Sequence, residues 1–166
     1  MREGKFWVKR LGKEFFVPEV AATETGQRII LIAEDNADDT LFLRWAFANA
    51  GLGKSVLFVR DGEEAVRYLS RQPPFDDLVL CPRPSLVVLD GRMPKMDGLD
   101  VLLWLSHHPE VGGFKVLLYT SAFTPKQRER AVKLGAEVCM DKPAACEGWT
   151  LLVEEIRRLT DARPAG

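Results

Sequence analysis

Five side chains in this sequence share a setting: each follows a short apolar run. The acidic pair Glu34-Asp35 follows Ile29-Ile30-Leu31-Ile32-Ala33, and Asp90 follows Ser85-Leu86-Val87-Val88-Leu89. Thr120 follows Val116-Leu117-Leu118-Tyr119, and Lys142-Pro143 lies just beyond Glu137-Val138-Cys139-Met140. Buried strands that each release a polar residue at the C-terminal end build a site along one edge of a parallel sheet. Three acids there suit Mg²⁺, which takes hard oxygen ligands in octahedral geometry and keeps positions open for water and a phosphate. A carboxylate such as Asp90 can accept a phosphoryl group. Its oxygens then need cationic and hydrogen-bonding partners, which Lys142 and Thr120 supply.

Each residue taken alone also has an ordinary explanation. Glu34-Asp35-Asn36-Ala37-Asp38-Asp39 reads as a helix N-terminus, with Asn36 or Asp38 as cap and acids complementing the helix dipole. Asp90 before Gly91 is a frequent turn pair. Thr120 alone is a strand-end threonine, and Lys142 a surface lysine. Their common position at strand ends is what argues for a joint role.

The elements that must position these residues alternate from residue 28 onward. Strand patterns cover 29–33, 56–59, 85–89, 115–119 and 137–140, several of them apolar on both faces. Amphipathic helix patterns cover 38–50, 62–71, 98–107, 124–134 and 147–160. In the last, Trp149, Leu152, Val153, Ile156 and Leu159 form one apolar stripe. Five βα units imply right-handed crossovers and an open, doubly wound parallel α/β sheet. Trp45 and Trp104 fall on helix patterns and are expected in the core. Residues 72–84, with four prolines, read as a long loop.

Composition is compatible with this plan. The chain has 166 residues, 46% of them hydrophobic and 28% charged, which suits one globular domain. A net charge of −1 gives no general attraction to nucleic acid or to an anionic membrane. Cys81, Cys139 and Cys146 have no metal-ligand spacing and fit reduced thiols in a cytoplasm. Neither a signal peptide nor a membrane span is evident, so a cytoplasmic protein is expected.

At the motifs Ile-Leu-Ile-Ala-Glu-Asp-Asn, Val-Val-Leu-Asp-Gly-Arg-Met-Pro-Lys-Met-Asp-Gly, Leu-Tyr-Thr-Ser and Asp-Lys-Pro the chain resembles a response-regulator receiver domain of two-component signalling. The resemblance covers about residues 28 to 160, and Arg-Asp-Gly-Glu-Glu-Ala (60–65) fits the family's turn into its second helix. Thirty residues separate Asp90 from Thr120 and twenty-two separate Thr120 from Lys142, as in the family. The resemblance implies a flavodoxin-like sheet in the order 2-1-3-4-5. It implies that Asp90 takes a phosphoryl group from a kinase phosphohistidine. It also implies that Glu34, Asp35, Asp90 and the Arg92 backbone carbonyl hold Mg²⁺, and that Thr120 and Lys142 contact the phosphoryl group. The surface that usually responds is the fourth helix, fifth strand and fifth helix. The proline-rich loop is further similar to small stand-alone regulators, some of which pair with bacteriophytochrome histidine kinases.

Departures from the pattern bear on the readout. Cys139 stands where an aromatic switch is frequent, three residues before Lys142, and Ala144 stands where a Phe is frequent. Arg92 and Ala122 offer no carboxylate or amide to position an attacking water. Slow self-dephosphorylation is therefore expected, and a phosphate-release time course giving a lifetime of seconds would refute it.

Three other readings fit less well. A haloacid-dehalogenase-type phosphatase needs a second Asp two residues after its nucleophile, where this chain has Arg92. A flavin binder of the same fold needs a hydroxyl- and glycine-rich phosphate loop, and Glu34-Asp35 would repel the flavin phosphate. A receiver-like module that never turns over phosphate has little need of the full set of acids, hydroxyl and lysine.

The expected organisation is an N-terminal extension (1–27), a receiver domain (28–162) and a short tail (163–166). With no DNA-binding output module expected, the signal leaves through a downstream protein partner or a phosphotransfer protein. Residues 1–27 begin basic and aromatic and become small and polar through 21–27, as a linker does. Docking on the domain, a homodimer and disorder all remain open for this segment. His107-His108 reads as a cationic pair suited to a helix C-terminus.

Overall fold

The computed structural model describes residues 28–121 and 123–161, apart from the Cys146 side chain, and the backbone pairing of residues 6–10 and 13–17. The expected linker (21–27) and tail (163–166) lie outside the described residues, as does Ala122.

Within the N-terminal segment, β1 (Phe6–Arg10) and β2 (Lys13–Val17) pair antiparallel, with Phe6 opposite Val17 and Arg10 opposite Lys13. The sequence predicts an extension here without assigned structure. Its two aromatic, β-favouring runs flanking Gly12 were the available hairpin signal.

The main sheet contains β3 (Ile30–Ala33), β4 (Val56–Val59), β5 (Leu86–Asp90), β6 (Lys115–Thr120) and β7 (Val138–Asp141) in the order β4-β3-β5-β6-β7, all parallel. Counted from β3, this is the expected 2-1-3-4-5 arrangement. The helices are α1 (Ala37–Asn49), α2 (Gly62–Leu69), α3 (Gly98–Ser106), α4 (Pro125–Lys133) and α5 (Cys146–Asp161).

Strand alternation divides the core into two layers. Ile30, Ile32, Leu86, Val88, Leu117 and Tyr119 face α1 and α5, meeting Leu43, Phe47, Trp149, Leu152 and Ile156. Leu31, Ala33, Val87, Leu89, Val116 and Leu118 face the other way, toward Ala65, Tyr68, Leu99, Val101, Leu102 and Ala131 of α2, α3 and α4. Every residue of β3 and β5 is buried, which explains why their sequences are apolar without alternation.

Polar caps fix where the helices begin. Asn36 accepts from the Asp38 and Asp39 N–H groups, and Asp61 accepts from that of Glu64. Asp97 with Asp100, and Thr124 with Gln127, form reciprocal capping boxes. These caps start α1, α2, α3 and α4 at the carboxyl ends of the strands, and so set the rim of the crevice.

Residues 72–84 form no helix or strand, yet the loop is anchored. Phe75 and Cys81 are buried, the Tyr68 hydroxyl donates to the Pro82 carbonyl, and Arg71 donates to that of Cys81. Trp45 departs from expectation: it is 52% exposed and, with Leu41 and Phe42, leaves an apolar strip on α1. The buried stripe of α1 runs through Leu43, Ala46 and Phe47 instead. Trp104 is half-buried and stacks on His108 at a centroid distance of 4.1 Å. The ring nitrogens of His107 and His108 bond the Leu103 and Trp104 carbonyls at the end of α3, a helix-terminal role. Among the described residues, no helix is long and apolar enough to cross a membrane.

Candidate phosphoacceptor and metal site

Parallel pairing brings the strand ends together. Ala33 lies beside Leu89, Asp90 beside Tyr119, and Thr120 beside Asp141. The residues that follow β3 and β7 therefore meet Asp90 at the same edge. Glu34, Asp35 and Asp90 each bring a carboxylate oxygen to within 4.8 Å of the others. Glu34 and Asp90 are 3% and 4% exposed, whereas Asp35 faces solvent.

Lys142 reaches into this cluster from beyond β7. Its Nζ lies 2.7 Å from Asp39 Oδ2, 2.9 Å from Asp90 Oδ2 and 3.0 Å from Glu34 Oε2. Its backbone N–H donates to the Thr120 carbonyl at 2.9 Å, which links the lysine to the end of β6. One ammonium thus faces three carboxylates, with Asp35 as a fourth acid close by. That excess of negative charge, built from hard oxygen donors, fits a divalent cation.

Asp90 Oδ1 accepts the Arg92 N–H at 3.0 Å, so the turn after β5 folds back on the Asp90 carboxylate. The turn requires glycine: a Cβ at Gly91 would stand 2.5 Å from Thr120 Cβ and 2.7 Å from its Oγ1. Thr120, fully buried, is thereby packed against the residue after Asp90. A Cβ at Gly98, where α3 begins, would lie 2.5 Å from the Asp90 carbonyl oxygen. Helix α3 and strand β5 approach this closely because no side chain intervenes.

The electrostatics follow from burial and partners. Burial pushes the Asp90 carboxyl above the usual carboxylate range, opposed by hydrogen bonds from Lys142 and from the Arg92 N–H. Burial also raises Glu34, opposed by the Tyr119 hydroxyl, the Asn36 N–H and Lys142. For Lys142, burial favours the neutral amine, but hydrogen bonds to Asp39, Asp90 and Glu34 outweigh it and hold the ammonium above its ordinary range.

Two contributors were not singled out from sequence. In the sequence Asp39 is only part of an acidic helix start, yet it bonds Lys142; its position three residues past the Asn36 cap turns it toward the crevice. In the sequence Tyr119 is only the last residue of an apolar run before Thr120, yet its hydroxyl donates to Glu34 Oε2. At Cys139, where the family resemblance suggested an aromatic, Arg128 of α4 donates to the Cys139 carbonyl at 3.3 Å and pairs with Asp141. Arg92 is exposed and offers no carboxylate beside Asp90, while the matching position Ala122 lies outside the described residues.

Comparison with known proteins agrees with this geometry. Response regulator Rcp1 of Synechocystis sp. is 27% identical over 95 residues, 57% of this chain but under two thirds of that protein (63%). The crystal structure of response regulator RPA3017 in red light signaling of R. palustris superposes with a TM-score of 0.74 at 27% identity, covering 84% of this chain and 99% of that one. The phosphorylated cyanobacterial phytochrome response regulator RcpA gives 0.72 at 26% identity, covering 80% and 93%. The sequence profile of the response regulator receiver domain spans residues 30–154, from the strand that releases Glu34-Asp35 into the helix beyond Lys142. The chain belongs to the response regulator receiver family.

Proposed function

We propose that Asp90 accepts a phosphoryl group from the phosphohistidine of a partner histidine kinase, and that the chain then signals by protein contact or passes the group on in a phosphorelay. In the transfer, the bond from phosphorus to the imidazole nitrogen breaks and a bond to an Asp90 carboxylate oxygen forms. Glu34, Asp35, Asp90 and the Arg92 backbone carbonyl would hold Mg²⁺, which supplies positive charge to the transferring oxygens. The Thr120 hydroxyl and Lys142 ammonium take up the remaining phosphoryl oxygens. Because Lys142 already spans Glu34, Asp39 and Asp90, it carries charge to the acceptor before any donor arrives. That single ammonium held among three carboxylates is the observation that carries the reading.

Phosphorylation would redistribute these bonds and bias the surface of α4, β7 and α5, a population shift rather than a new fold. The Arg128 contacts that join α4 to β7 stand where an aromatic switch would otherwise act. The red-light and phytochrome regulators among the similar structures support a bacteriophytochrome-type kinase as donor. The exposed Leu41, Phe42 and Trp45 give such a partner an apolar face on the helix that carries Asp39. The receiver unit is assigned to residues 28–162, with 1–27 as an extension and 163–166 as a tail, in a cytoplasmic protein.

The test is incubation with acetyl phosphate and Mg²⁺. The wild-type chain should gain the mass of one phosphoryl group. Asp90→Asn should gain none, and EDTA should abolish the gain. Labelling of Asp90→Asn, or none of the wild type, would sink the proposal.

A further inference from the structure

Tyr119 has no exposed surface, and strand alternation points it with Leu117 into the layer under α1 and α5. Its ring meets Trp149 edge-on, at a centroid distance of 6.4 Å and an interplanar angle of 79°, and Lys142 Nζ lies 5.2 Å from the ring centre. For packing alone a phenylalanine would serve. A buried hydroxyl is costly unless paired, and this one is paired only by pointing at the crevice, where it donates to Glu34 Oε2.

A carboxylate has roughly four acceptor sites. On Glu34 the Asn36 N–H takes one on Oε1 at 2.9 Å, while Lys142 at 3.0 Å and the Tyr119 hydroxyl share Oε2. These contacts fix the carboxylate plane. Lys142 is shared with Asp39 and Asp90 and is the partner that a phosphoryl group would draw away. Tyr119 bonds Glu34 from inside the core, on the strand that ends in Thr120, and is held by Trp149.

We propose that Tyr119 is a positioning residue for the divalent-cation site: its buried hydroxyl orients Glu34, and the rigidity it confers favours a small octahedral cation over a larger one. The inference rests on the receiver-site reading above. Mg²⁺ demands near-ideal octahedral geometry, whereas Ca²⁺ accepts irregular and more numerous oxygens. Freeing one carboxylate to rotate therefore penalises Mg²⁺ more than Ca²⁺. Hydrogen-bond partners of metal ligands are typically worth about 10–100-fold in affinity.

The experiment measures Mg²⁺ and Ca²⁺ binding to the full chain by titration calorimetry, in wild type, Tyr119→Phe, Glu34→Gln and the double variant. Tyr119→Phe should weaken Mg²⁺ binding about 10–100-fold and Ca²⁺ binding less, so that the preference between the ions narrows. In the Glu34→Gln background the same change should have little further effect. Retained Ca²⁺ binding, with a urea midpoint in EDTA, reports that the variant is folded. If both ions bind Tyr119→Phe as they bind wild type, or weaken by one common factor, Tyr119 has no positioning role. An undiminished effect in the Glu34→Gln background overturns the proposal equally. A wild-type chain that binds neither ion overturns the receiver-site reading and this inference with it.

Discussion

Replacing Lys142 with methionine is expected to abolish labelling by acetyl phosphate and to lower stability at neutral pH, without divalent cations, by about 3–5 kcal/mol, the range for breaking a buried ion pair on one side. The side chain is 13% exposed and its Nζ is the shared partner of Glu34, Asp39 and Asp90. Methionine keeps an unbranched apolar stem but removes the charge, which lies 5.2 Å from the Tyr119 ring centre. Glu34 and Asp90 are then left buried and negatively charged close to one another. The folded lysine titrates above its ordinary range, so its contribution is complete at neutral pH and fades only as pH rises through that raised value. The deficit of the variant depends on the carboxylates instead. It should be large where they are ionised and small in acid, where protons replace the missing ammonium. Urea unfolding in EDTA at about pH 7 and about pH 4 checks this, because carboxylates ordinarily titrate near 4. Equal deficits at the two pH values would show that lost packing, rather than lost charge, is responsible.

The lysine also shows how far the sequence went. Its convergence with Asp90 and Glu34 on one sheet edge was legible because parallel strands align their ends: once four apolar runs are read as neighbouring strands, the residues that follow them must meet. The direct ion pairs were not, since the sequence assigns the lysine to a phosphoryl oxygen rather than to these carboxylates. Asp39 was not legible in the same way. An acid in the first turn of a helix is explained by the helix dipole alone, and only the angle at which the Asn36 cap sets α1 turns that acid toward Lys142. Tyr119 was hidden by its neighbours, since Tyr after Leu-Leu continues an apolar strand and its hydroxyl direction depends on which face β6 presents to α1 and α5. Trp45 failed for a related reason. Helical periodicity locates an apolar stripe but not its width, and α1 buries Leu43, Ala46 and Phe47 while leaving Leu41 and Trp45 outside. The N-terminal hairpin β1–β2 lay in a short, charge-interrupted segment where strand patterning is weakest.

Adding Mg²⁺ at about a hundred times its dissociation constant is expected to stabilise the wild-type chain by about 2.7 kcal/mol, since the ion binds only the folded site. For a domain of this size that is a rise of roughly 5–10 °C in the unfolding midpoint. The shift should depend on pH with a definite sign. Burial holds Asp90 and Glu34 above the ordinary carboxylate range, so between that range and their raised values the folded chain binds more protons than the unfolded one. Without the ion, stability therefore falls as pH rises through this window. With the ion, the ligands must be ionised to bind, so the Mg²⁺-induced shift grows over the same window and vanishes in acid. Asp90→Asn separates the two effects. An amide in place of a buried carboxylate removes a charge that costs stability only when ionised, so in EDTA the variant should melt above wild type at neutral pH and level with it in acid. It should also lose most of the response to Mg²⁺, because a ligand is gone. Thermal melts of both proteins from about pH 4 to about pH 8, in EDTA and in Mg²⁺, give the four curves. A wild-type Mg²⁺ shift that is the same at every pH would mean that the ion binds somewhere other than the Glu34, Asp35 and Asp90 carboxylates.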